Sequence, residues 1–279
     1  AGIQLLADAA SLPADAPAAQ PKAGSPAPSK LLTWFLSLLA LLLPALGPRL
    51  REREPSEAFV RDLLTNLVAR LLSSASLPQE ALVLKCVQLL PLLPAEPWIQ
   101  QACLESGAIH AMAIPHARCA GALEAPLPKA ILLAVRGAFA DNLGLCAKAI
   151  DDQFVSDEFI CLEVLDQLKG MEKRHRGTFR ALDSEWGVVG KALNLWAFHQ
   201  RRALEDPDPS KSTGKLILQK VAELLGAVLL KLPPHQLLQR MQEFQGAEVL
   251  QRIALSAIHV NAQLRLQVAV NYAENSVIP

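Results

Sequence analysis

His235–Asn275 reads HQLLQRMQEFQGAEVLQRIALSAIHVNAQLRLQVAVNYAEN. It reads as three short helices in a row. The first, 235–245, is closed by Gly246. The second is 247–258, and a His259-Val260-Asn261 break precedes the third, 262–275. A unit this small cannot bury its own apolar faces and needs neighbours of the same kind, which is the logic of a helical-repeat stack.

The third helix has an echo upstream. Lys129–Asn142 reads KAILLAVRGAFADN, and aligning the ends places Phe139-Ala140-Asp141-Asn142 on Tyr272-Ala273-Glu274-Asn275. Ile131, Leu133 and Val135 then fall on Leu264, Leu266 and Val268. The copies lie 133 residues apart, about three units of roughly 40–47 residues. After the first copy, LCAKAIDDQFV and DEFICLEVLDQL again read as a short helix followed by a longer one.

Val270-Asn271-Tyr272-Ala273 matches the N-L-A part of a third-helix ending of the form A-L-x-N-L-A-x-x-N. Glu105-Ser106-Gly107-Ala108-Ile109 matches a Glu-x-Gly-Ala/Gly-Ile phrase that opens a second helix. Gln245–Leu250 and Ala1–Leu6 match that phrase loosely. In these residues the chain resembles the armadillo-repeat family, with HEAT-type repeats as the neighbouring alternative. The resemblance implies an all-α, right-handed α-solenoid of roughly five to six armadillo-like repeats. It also implies a concave groove lined by third helices, where the motif asparagine holds the backbone of an extended peptide. Asn271 is then the candidate ladder residue. Gln263, Gln267 and Asn271 stand at i, i+4 and i+8 and share one stripe. The aligned upstream residues are Ala130, Ala134 and Ala138, so a full asparagine ladder is absent. Trp196 lies near the equivalent region of its own helix.

Half of the 279 residues are apolar, and a single Tyr with few alternating β-branched runs favours helix over sheet. Lys and Arg balance Asp and Glu at 27 each, so no global field draws the chain to nucleic acid or to an acidic surface. Cys86, Cys103, Cys119, Cys146 and Cys161 are odd in number, form no C-x-x-C and sit in apolar contexts. They are expected to be buried free thiols of a reducing, cytoplasmic or nuclear setting. The chain lacks an initial Met and stops where a further unit would begin, so it reads as a fragment of one repeat domain covering 1–279.

Residues 11–29, rich in Ala, Pro and Ser, read as a flexible insert, and 205–214 as a polar loop. Residues 31–48 carry no charge and are bracketed by Lys30 and Arg49. Eighteen such residues stand at the lower edge of a membrane span, with Trp34 near one end. The favoured reading is a third helix buried on all sides, shortened by Pro44. Ser56 is expected to cap the next helix. Ser76–Gln79 has capping-box spacing. Residues 108–125 are expected to form a weak helix broken at Pro115.

Little of the chemistry-bearing sequence is organised. Ser212-Thr213-Gly214-Lys215 lacks the earlier Gly of a phosphate loop, because Pro209 stands there, and Leu216 replaces the metal-binding hydroxyl. His110, His116 and Cys119 lack the fourth ligand of a structural zinc site. Asp151, Asp152, Asp157 and Glu158 fit a helix start. The cations Lys169, Lys173, Arg174, Arg176 and Arg180 fit a solvated helix end. The expectation is therefore a non-enzymatic scaffold with no cofactor or metal. It would bind a protein or peptide segment through Asn271, Gln267, Gln263 and Trp196. The alternative is a membrane-anchored protein spanning with 31–48.

Overall fold

The computed structural model describes residues 28–73, 80–119, 125–150, 158–174, 187–205, 214–243 and 247–276. The expected insert up to residue 27, the capping box and most of the 205–214 loop lie outside them. So do Asp151, Asp152, Asp157, Arg176 and Arg180. Every element among the described residues is helical. The chain divides into two compact units, 1–140 and 141–279.

The first unit opens with α1 (Pro28–Leu50). Next, α2 (Arg53–Asp62) runs through a π-helical stretch, Leu63–Ala69, into Arg70–Leu72. Leu63, Leu64, Leu67 and Val68 of that stretch are fully buried and anchor the core. Proline then punctuates the chain. After α3 (Glu80–Val87) comes a 3-10 turn, Leu90–Leu92, and Leu93 is extended ahead of Pro94. Pro97 opens α4 (Pro97–Glu105) after an extended Glu96, and Pro126 opens α7 (Pro126–Phe139) after an extended Ala125. Between them lie α5 (Ala108–Ala111) and α6 (Ala113–Arg118). Gly107 joins α4 to α5 at φ 75°, a left-handed conformation that a Cβ would strain.

Three local expectations change. Ser56 does not cap a helix: α2 starts earlier, at Arg53. Ser56 Oγ instead donates to the Arg49 carbonyl at 3.0 Å from a buried position. The break after Gly107 falls at Met112, not Pro115, because Pro115 sits in the first turn of α6, where its missing N–H removes no helical bond. Nor is α1 buried on all sides. It runs through Pro44 and Pro48, and only one stripe is covered: Leu32, Leu36, Leu39 and Leu43 face α2, α3 and the 3-10 turn.

The second unit contains α8 (Leu143–Ala149), α9 (Glu158–Arg174), α10 (Val188–Glu205) and α11 (Gly214–Leu229). It ends with α12 (Pro234–Glu243), α13 (Ala247–Ser256) and α14 (Val260–Ser276). Asn142 caps α8, its Oδ1 accepting from Leu145 N at 3.0 Å. The centre is α11, which packs against α9, α10, α13 and α14. Gly226 permits its close approach to α14: an added Cβ would meet the Ala262 carbonyl oxygen at 3.3 Å and Leu266 Cγ at 3.4 Å. Glu223 on α11 joins Lys169 of α9 to His259, whose Nε2 is 3.0 Å from Glu223 Oε1. The His259 carbonyl accepts from Ala262 N and Gln263 N, starting α14 two residues ahead of the expected 262.

Candidate functional site

The three last helices occupy the expected stretch, and α14 carries three of the four expected binding residues. Its inner face is Ala262, Leu266, Ala269 and Val270, all buried. Its neighbours α11, α12 and α13 cover that side. At 100° per residue, the opposite side presents Val260, Leu264, Val268 and Tyr272 in one i, i+4 row. Leu264 is 61 %, Val268 55 % and Tyr272 40 % exposed. Beside this row lie the exposed carboxamides Asn261, Gln267, Asn271 and Asn275. The face is uncharged; the exposed Arg265 and Glu274 stand at its two edges.

Gln267 and Asn271 are brought together: Gln267 Nε2 donates to Asn271 Oδ1 at 3.2 Å. That leaves the Asn271 amide hydrogens and the Gln267 carbonyl oxygen directed to other groups, one donor set and one acceptor. Gln263 is half-buried and donates to the Ala257 carbonyl, which ties it to the corner between α13 and α14. Trp196 is a correction. It lies in the core of the second unit, only 4 % exposed, and its indole Nε1 has no hydrogen-bond partner among the described residues. It cannot touch a partner on the surface, because α10 turns it inward with Val189, Ala192 and Leu193, beside α11. Asn261, Asn275 and the apolar row were missed in the sequence. Val260, Leu264, Val268 and Tyr272 do recur every four residues, but with apolar residues all around the helix that spacing does not say which side is outward.

The first unit contains a different feature, an apolar cleft of about 160 Å³. Ala134, Gly137 and Ala138 of α7 form one wall, facing Pro91, Ile99 and Cys103. Two residues of the upstream alanine stripe, Ala134 and Ala138, thus line a cleft, where small side chains leave room. The buried Gln100 donates through Nε2 to the Ala140 carbonyl at 2.9 Å and the Gly137 carbonyl at 3.3 Å. It supplies a donor to the Ala140 carbonyl just past the end of α7 and a second one to the Gly137 carbonyl, which also accepts from Ala140 N at 3.4 Å.

The titratable groups are structural in their surroundings. Burial pushes the Cys86, Cys103 and Cys146 thiols up to about 12, away from the reactive thiolate. Cys161 is also buried; Cys119 is half-exposed, unlike the expected fully buried thiol. Burial lowers the pKa of the half-buried His116. Among the described residues no group of three His, Cys, Asp or Glu is close enough to hold a metal. His199 is buried. In the basic cluster, Lys169 pairs with Glu223, and Arg174 Nη2 lies 2.8 Å from Asp141 Oδ1. Glu158 stands in the first turn of α9, 3.7 Å from Arg202.

No protein-family model and no curated protein sequence matches this chain.

Proposed function

We propose that this chain is a non-enzymatic, armadillo-like helical scaffold that binds a polypeptide segment on the outward face of α14. The observation that carries the reading is the composition of that face: an exposed apolar row with carboxamides alongside and no charge between them. Apolar side chains of the segment bury against Leu264, Val268 and Tyr272. The carboxamides of Gln267 and Asn271 supply a donor and an acceptor, the two functions a peptide group requires. The repeat reading is supported by the order of α12, α13 and α14, of 10, 10 and 17 residues. In it, α13 and α14 pack on α11, and α12 packs on α14. A reducing cytoplasmic or nuclear setting accords with the free, mostly buried cysteines.

The test is panning a displayed peptide library against the full chain, followed by titration of a selected peptide. Leu264→Glu with Val268→Glu is expected to weaken binding at least about tenfold, and Gln267→Ala with Asn271→Ala several-fold, because desolvated central contacts dominate such interfaces. Far-UV circular dichroism of both variants should match the parent. Peptides that bind both variants as well as the parent would overturn the assignment.

A further inference from the structure

The first unit has its own uncovered face. Along α1, the side opposite the buried Leu32, Leu36, Leu39 and Leu43 is formed by Leu31, Trp34, Leu38, Leu41, Leu42 and Ala45. Trp34 is 78 % and Leu41 76 % exposed. This face differs from that of α14. It has no carboxamide, hydroxyl or charge from Leu31 to Pro48 on its outward side. The two hydroxyls of the stretch lie toward its edge, and Ser37 Oγ is already satisfied: it donates to the Thr33 carbonyl at 2.8 Å and accepts from Lys85 Nζ at 2.7 Å. An extended polypeptide segment would find no group with which to pair its backbone. Hydrocarbon needs none.

Charge marks the limits of the face. Lys30 and Arg49 stand at its opposite ends, on its own side of the helix, and neither forms an ion pair with a described carboxylate. The other cations of the Arg49 end are engaged: Arg51 Nε is 3.8 Å from Glu96, and Arg53 Nε is 2.9 Å from Glu57. An uncharged apolar strip with one cation at each end matches acyl chains bordered by phosphate headgroups. Trp34, near the Lys30 end, supplies an amphipathic ring suited to that border.

Length and composition would also permit a span: Lys30–Leu50 is 21 residues with a mean hydropathy of 1.9 over its most apolar window, about 31 Å as a helix. Crossing the bilayer would strip Leu32, Leu36, Leu39 and Leu43 from α2 and α3 and expose the apolar side of those helices to water. Lying in the plane of the leaflet keeps that packing and also covers Trp34 and Leu41.

We propose that α1 is an in-plane lipid-binding helix, which inserts its Trp34–Leu38–Leu41 face into one leaflet while its opposite face stays packed in the first unit. This contact is separate from the α14 face, so either reading can fail alone. The experiment is flotation of the full chain with phosphatidylcholine–phosphatidylserine vesicles, with the oligomeric state in solution measured in parallel. The parent chain is expected to float and to be released by alkaline carbonate. Trp34→Glu with Leu41→Glu should cut the floating fraction at least about tenfold, since charged groups replace two inserted apolar ones. Leu264→Glu with Val268→Glu should leave it unchanged. Both positions on α1 are highly exposed, so the circular dichroism of the variant should match the parent. Failure to float, or equal flotation of parent and variant, would overturn the proposal. Resistance to carbonate would overturn it in favour of a span. A parent dimer that the variant converts to monomer, without flotation, would assign the face to a second copy of the chain.

Discussion

The helices α7 and α14 carry the two most similar stretches of this chain, and they show opposite sides to water. With the ends matched, Ile131, Val135 and Phe139 are all fully buried, whereas their counterparts Leu264, Val268 and Tyr272 are exposed. Leu133 reverses the pattern: it is exposed, and its counterpart Leu266 is fully buried. Sliding the upstream stretch by two residues restores agreement, pairing Ile131 with Ala262, Val135 with Leu266 and Phe139 with Val270, all buried. Two residues are about 200° of helix. Likeness of letters therefore did not carry likeness of face. Which side of each helix is inside follows from where its neighbours stand: α3, α4 and α6 for α7, and α11, α12 and α13 for α14.

The largest expected effect comes from forcing charge into the surroundings of α7. Burial raises Cys86 and Cys103 from 9.0 to about 12. A thiol whose folded pKa lies above its unfolded value adds stability that is complete below about pH 9. That stability is lost as pH rises through 12. An alkaline titration followed by circular dichroism should show unfolding in that window, and Cys86→Ala with Cys103→Ala should lessen the loss. His116 works in the other direction: with its pKa lowered by burial, its contribution is present above its ordinary 6.5 and declines as pH falls below that.

Truncating the matched aromatics separates the helices next. Phe139→Ala should cost about 4 kcal/mol in urea unfolding, as a buried Phe leaves a cavity, and Tyr272→Ala under about 1 kcal/mol. Equal costs would break the comparison. Gly226→Val tests the contact that turns the inner face of α14 toward α11. Crowding against the Ala262 backbone, which cannot swing aside, should cost about 2 kcal/mol. Gly107→Ala should cost about 1 kcal/mol, measured in the same way, because a Cβ at φ 75° is strained even where space is open.

Much of the helical framework was legible from local chemistry. Pro97, Gly107 and Pro234 stand where the chain must start or turn a helix, and they mark α4, α5 and α12. Apolar spacing gave the extent of the last three helices within a few residues. Facing was less legible, because it depends on partners distant in sequence. Ser56 has the residue type of a cap yet bonds the Arg49 carbonyl, since Glu52 ends the preceding turn. Trp196 resembled a groove residue and became core, because α11 covers its side of α10. The stripe of Gln263, Gln267 and Asn271 was visible from spacing. That Leu264, Val268 and Tyr272 face outward beside it was not, since apolar residues all around a helix leave its rotation undetermined.

Hydroxyl-radical footprinting of the folded full chain tests the facing of α14, on which the binding face depends, most directly. Leu264, Val268 and Tyr272 should be oxidised readily, while Leu266, Ile131, Val135 and Phe139 are protected until the chain unfolds. Protection of Leu264 and Val268 together with rapid oxidation of Leu266 would contradict it.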